Sequence, residues 1–159
     1  RPRHGWLSKT VKTPAAQGGA GSDPSMMQTT ARLDGNHWVI NGCKAFITGA
    51  DGAHFFIIMV CMGESATMFL SPADADGLQV VRHLRSLDTS MIGGHCEVTF
   101  TNLFVPDEGV LGEVGQGFAG AQIRLGPARM THVMRWLGAV RRAHEVAVTH
   151  VAGHPGPGA

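Results

Sequence analysis

Near Gly115 the spacing of apolar residues changes, and that change constrains the fold more than any single motif. Before it, short runs with a period of two alternate with turn residues. Thr29 to Asp34 alternates residue by residue, Asp34-Gly35-Asn36 supplies a turn, and His37 to Asn41 returns with Trp38 and Ile40 on one face. Gly42 is expected to break this run before Lys44 to Thr48. Phe55 to Met62 is nearly all apolar, as a strand buried on both faces would be. Thr67 to Leu70, Leu78 to Leu84 and Cys96 to Phe100 add short strands, and Leu103 to Pro106 continues the last. After Gly115 the period becomes helical. A first helix from Gly117 is expected to stop near Gly126-Pro127, where proline suits the opening turn of a second, longer one. In that second helix Met130, Val133, Met134, Leu137, Val140, Ala143, Ala147 and Val151 recur at steps of three and four, opposite Arg135, Arg142, Glu145 and Thr149. The expected fold is mainly β with C-terminal α: an antiparallel β-barrel or two-sheet sandwich, then one short and one long helix.

Composition narrows the function. With 43% hydrophobic and 16% charged residues in 159, the chain can bury a real core as one domain. A net charge of +1 without basic clusters gives no electrostatic reason to bind nucleic acid. No apolar stretch is long enough to span a bilayer, so no membrane partner is expected. Three cysteines, Cys43, Cys61 and Cys96, lack metal-ligand spacing and read as reduced thiols of a cytoplasmic protein. Nine histidines are scattered along the chain, and none is expected to hold a metal.

Two segments carry candidate chemistry. In Ala20-Gly21-Ser22-Asp23, Gly21 lets the backbone pass close to a ligand, while Ser22 offers a hydroxyl and an N–H suited to phosphate or pyrophosphate oxygens. In Phe46-Ile47-Thr48, an aromatic ring, a backbone N–H and a β-hydroxyl can meet a flat heterocycle by face and edge. Ile47 also suits core packing.

Taken together, Ala20-Gly21-Ser22-Asp23 and Asn41-Gly42-Cys43-Lys44-Ala45-Phe46-Ile47-Thr48 resemble the paired signatures of the flavin-dependent acyl-CoA dehydrogenases, whose second signature reads Asn-Gly-x-Lys-x-Trp-Ile-Thr. The resemblance runs from about Ala15 to Val151. It includes Gly77-Leu78, Phe100-x-x-Leu103-Phe104-Val105-Pro106 and Leu111-Gly112-x-x-Gly115-x-Gly117-Phe118. Gly93-Gly94-His95-Cys96-Glu97-Val98 and Arg124-Leu125-Gly126-Pro127-Ala128-Arg129 are similar to the branch whose larger members carry a fused kinase-like domain. The resemblance implies FAD as cofactor, an acyl-CoA substrate in fatty acid metabolism, electron-transfer flavoprotein as partner, and a homo-oligomer. It places Gly21, Ser22, Phe46, Ile47 and Thr48 against the flavin, and Ser22 and Arg129 toward the CoA moiety. Phe46 stands where the family carries tryptophan, keeping the aromatic face without the indole donor.

It also implies an organisation: residues 1–14 as a remnant of the N-terminal helical domain, 15–115 as the middle β-domain, 116–152 as the first helices of the C-terminal domain, and 153–159 as a disordered tail. Departures from the family matter for chemistry. Ala16-Gln17-Gly18 replaces the family's Thr-Glu-Pro beside the flavin, and Ala128 occupies a place where some members carry a catalytic glutamate. No catalytic residue is therefore named, and the chain is expected to be an incomplete one that lacks the base. An acyl-CoA oxidase-type flavoprotein and a non-catalytic homologue that binds only flavin or a partner stand as alternatives.

Overall fold

The structure is a computed structural model, and it describes residues 26–85, 92–154 and 156. The expected turn at Ala20 to Asp23, the segment 1–14 and most of the tail from Gly153 lie outside the described residues. Two compact units are present, one reaching to Phe118 and the other beginning at Ala119.

The first unit is a seven-stranded sheet. Its strands are β1 (Thr30–Asp34), β2 (His37–Thr48), β3 (Phe55–Met62), β4 (Ser65–Pro72), β5 (Leu78–His83), β6 (His95–Pro106) and β7 (Val110–Leu111), in the order β5-β6-β2-β1-β3-β4-β7. Asp34-Gly35-Asn36-His37 closes the β1–β2 hairpin with Asp34 opposite His37. All pairings are antiparallel except the short contact of β1 with β3, where Thr30 pairs with Cys61 in parallel sense.

The sheet wraps around its own apolar face. Trp38 and Ile40 on β2, Ile58 and Val60 on β3, Phe69 on β4 and Val98, Leu103 and Val105 on β6 share one buried cluster. Trp38 and Phe69 meet across it with ring centroids 5.4 Å apart, within the range of favourable aromatic pairs. The Trp38 indole reaches the edge of the core and donates to Asp107 Oδ1 at 2.9 Å, in the 3-10 turn Asp107–Gly109 that follows β6. That bond satisfies the one polar atom of an otherwise apolar side chain.

Gly42 does not break β2, which runs unbroken from His37 to Thr48. Its φ is +148°, and a β-carbon there would lie 2.7 Å from the Thr29 Cα. Glycine is thus required by a close backbone crossing inside the strand. Before it, Trp38 and Ile40 are both buried, as their spacing of two implies.

The second unit is helical. α1 (Gly117–Gly153) continues through Pro127, so the expected short and long helices are one element of 37 residues. Proline deletes one i→i−4 bond and crowds one carbonyl, at about 3 kcal/mol. The φ of about −65° that its ring imposes is compatible with a helix, and the long run after it carries the element past it. Met130, Val133, Met134, Leu137 and Val140 on the anticipated stripe are exposed in this chain.

Candidate functional site

The C-terminal end of β2 departs from regular strand geometry where the sequence signature lies. Pairing with β6 steps from Lys44 opposite Val98 to Ile47 opposite Cys96, so β2 carries one extra residue. This is a β-bulge, a device that re-aims side chains. Phe46 takes up the irregularity with φ +56°, a conformation that a bulky L-residue adopts only at a cost of about 1–2 kcal/mol. The result is a change of face: Ala45 and Ile47 are buried on either side, while Phe46 is 47% exposed. Strained backbone of this kind persists where neighbouring structure over-determines it, and it concentrates at functional sites.

Thr48 closes the strand. It is buried, and its Oγ1 lies 2.9 Å from Nδ1 of His95, its direct cross-strand partner on β6. The His95 backbone is fixed as well. Its carbonyl accepts from Leu84 N at 2.6 Å, and the neighbouring Gly94 carbonyl accepts from Gly49 N at 2.7 Å.

Charge is unevenly placed around this edge. Lys44, two residues before Phe46, is buried, and its Nζ lies 3.1 Å from the Met27 Sδ. A thioether is a weak acceptor, and burial pulls the Lys44 ammonium down to about 8. On the other side of the strand the Cys43 thiol faces Glu97, whose carboxylate accepts from Arg82 Nε at 2.9 Å and pairs with Nη2 at 2.8 Å. Burial first, and then the Glu97 charge, raise the Cys43 thiol. Burial likewise raises the Cys96 thiol. These cysteines are held as neutral thiols, not as nucleophiles. Near the same sheet end, His83 Nε2 lies 3.2 Å from Asp51 Oδ2 on the exposed surface.

The residues anticipated from sequence fall into three groups. Phe46, Ile47 and Thr48 are brought together, with the ring outward and the other two side chains buried. Gly21 and Ser22 lie outside the described residues. Arg129 lies on α1, exposed, and its Nη1 donates to Gln122 Oε1 at 2.8 Å along the same helix. Among the described carboxylates none sits in an apolar pocket. Glu97 alone is partly buried, and it is paired with Arg82.

Sequence reasoning missed three features. His95 is the partner of Thr48; its place in the Gly93-Gly94-His95 segment was visible, but the cross-strand register was not. Lys44 is a buried cation, although a flanking Ala45 and Ile47 hinted at it. His150 and His154 are spaced by four on α1, and their rings stack with centroids 4.1 Å apart. No group of three or more metal-ligating side chains forms among the described residues. No described helix is long and apolar enough to cross a membrane.

Known proteins match most of this chain. The pattern of the acyl-CoA dehydrogenase middle domain matches residues 15–103. The probable acyl-CoA dehydrogenase FadE2 of Mycobacterium tuberculosis is 40% identical over 141 residues, covering 83% of this chain and 34% of that protein. Acyl-CoA dehydrogenase family member 11 of Gallus gallus is 34% identical over 145 residues, covering 84% of this chain and 18% of that protein. The chain thus spans 34% and 18% of the lengths of these two relatives. Among solved structures, a glutaryl-CoA dehydrogenase of Mycobacterium smegmatis in complex with FADH2 superposes with a TM-score of 0.69 at 27% identity, over 86% of this chain and 35% of that one. A probable acyl-CoA dehydrogenase of Mycobacterium abscessus shares the fold with a TM-score of 0.73 at 23% identity, over 88% of this chain and 38% of that one. The matched pattern and these relatives show the family: the chain belongs to the acyl-CoA dehydrogenase family, with its middle domain at residues 15–103.

Proposed function

We propose that this chain supplies the flavin-facing edge of an FAD-dependent acyl-CoA dehydrogenase, which desaturates an acyl-CoA thioester between its α and β carbons and passes electrons to an electron-transfer flavoprotein. One observation carries the reading. The bulge turns the Phe46 ring out of the sheet at φ +56°, directly beside Ile47 and Thr48. A flat heterocycle can lie on that ring while its polar edge meets the strand end, so the residues present fit a flavin. When bound, FAD supplies the hydride acceptor for the β-carbon.

The chain's own residues have narrower tasks. Phe46 offers an aromatic face, Ile47 anchors the segment in the core, and Thr48 contributes a backbone N–H and a hydroxyl held by His95. Gly21 and Ser22 are assigned to the flavin pyrophosphate, and Ser22 and Arg129 to the CoA moiety. No carboxylate of this chain is assigned as the α-proton base. The test is reconstitution of the purified chain with FAD, followed by addition of a short acyl-CoA. The expected result is a bound flavin spectrum that weakens in Phe46→Ala, with little bleaching by acyl-CoA. Full bleaching would place the base within the chain, and no FAD binding at any protein concentration would overturn the reading.

A further inference from the structure

Two imidazoles side by side, each with a nitrogen to spare, can chelate a cation that neither would hold alone. His150 and His154 stand four residues apart at the C-terminal end of α1, the spacing that brings two side chains to one face of a helix. Their rings stack with centroids 4.1 Å apart and planes 25° from parallel. Both residues are exposed, so a dissolved ion can reach them.

The His154 ring is held by a bond of its own. Its Nδ1 lies 2.9 Å from the His150 backbone carbonyl oxygen. A carbonyl only accepts, so Nδ1 carries the proton of this bond, and Nε2 of the neutral ring keeps its lone pair. Histidines that ligate metals are oriented in this way, with the other ring nitrogen donating to a carbonyl or carboxylate. The His154 backbone is tied as well: its N–H donates to the Val151 carbonyl at 3.2 Å, just past the end of α1. The last carbonyls of a helix carry partial negative charge, which favours a cation at that end. Arg142, two turns before His150, is paired with Glu145 at 3.5 Å, so its charge is largely offset.

We propose that His150 and His154 form a two-ligand site for a borderline divalent cation, for which Zn²⁺ is the probe. Imidazole nitrogen suits Zn²⁺, Cu²⁺ and Ni²⁺, whereas Mg²⁺ and Ca²⁺ take oxygen ligands. Two Zn–N bonds of about 2.0–2.1 Å at a tetrahedral angle set the nitrogens about 3.4 Å apart. Small rotations of two exposed side chains, with rings already 4.1 Å apart, reach that span. Among the described residues no third histidine, cysteine or carboxylate joins the pair, so water or an outside donor completes the coordination. The site belongs to the helical unit and does not rest on the flavin reading.

The experiment titrates the untagged, purified chain with Zn²⁺ at pH 7.5, following heat by calorimetry and nitrogen chemical shifts of the histidine rings. One Zn²⁺ per chain is expected, with the ring signals of His150 and His154 moving and those of His83 and His95 unmoved. His150→Ala and His154→Ala should each weaken binding by more than about tenfold, since loss of the group behind a ligand alone costs about 10–100-fold. His144→Ala, on the same helix, should bind as the wild type does. Alanine is the best helix former, so these exposed substitutions should leave α1 folded. Mg²⁺ in place of Zn²⁺ should move neither ring. Equal Zn²⁺ affinity in the wild type and in both ligand variants overturns the inference. So does a wild-type titration in which the His150 and His154 rings do not move, even where a variant fails to fold.

Discussion

Lys44 should make this protein more stable at pH 9 than at pH 7. Its side chain is 5% exposed, its Nζ contacts the Met27 thioether at 3.1 Å, and no salt bridge among the described residues reaches it. Burial lowers its pKa from 10.5 to about 8, and the neighbouring Cys43 opposes this only in part. The direction follows from proton binding. Between about 8 and 10.5 the unfolded chain holds more protons on this residue than the folded one, so stability rises with pH. Below pH 8 the folded state carries the full penalty of an ammonium in an apolar site, roughly 3 kcal/mol for about 2.5 pKa units. Between pH 7 and pH 9 about 1.3 kcal/mol of that is relieved. The measurement should stop at pH 9. The Cys43 and Cys96 thiols are raised above 9.0 in the folded state, and the stability they contribute is present below that pH and lost above it. Urea unfolding followed by circular dichroism, on the wild type and on Lys44→Met, isolates the lysine. The variant should be more stable at pH 7 by about 1–3 kcal/mol, the range seen when a buried charge yields to an apolar side chain of similar size. The difference should shrink by about 1.3 kcal/mol at pH 9. A variant less stable than the wild type at pH 7, or a difference that does not change with pH, would refute the reasoning and point to a neutralising partner for the ammonium.

Two further substitutions test the strand that carries the site. Gly42→Ala forces a methyl to 2.7 Å from the Thr29 Cα, and overpacking against backbone should lower stability by about 2 kcal/mol or more; urea midpoints within 0.5 M of wild type, about 1 kcal/mol at a typical slope, would show that Thr29 moves aside freely. Phe46→Gly should relieve the left-handed strain of about 1 kcal/mol while removing the exposed ring. Unfolding midpoint and FAD affinity are expected to separate, the first unchanged or higher and the second weaker. A loss of stability with unchanged FAD affinity would mean that the ring serves the fold and not a ligand.

Local pattern made much of this protein legible. An unbroken apolar run located β3 to its ends, Phe55–Met62, because a strand packed between neighbours tolerates few polar residues and is bounded by turn residues. The switch to a helical period placed α1, since that spacing alone keeps one face apolar. Local rules misled where a single residue acts through something distant in sequence. Gly42 reads as a breaker, yet it lies mid-strand because Thr29 crosses it there. Gly126-Pro127 reads as a stop, yet α1 continues, because one lost hydrogen bond does not outweigh the helical runs around it.

For the candidate site the division is sharper. The sequence alone determined most of the strands, the change to helix after Gly115, the family, and the segment Phe46-Ile47-Thr48, because these depend on residue type and spacing along the chain; it did not show β7 (Val110–Leu111). It did not determine that Phe46 faces outward, that Thr48 is bonded to His95, or that Lys44 is buried beside Met27. The first two follow from one extra residue in β2 opposite β6, and the third from Met27, which lies 17 positions away in sequence. A shift of one residue exchanges the two faces of a strand, and cross-strand register brings together residues that lie 47 positions apart.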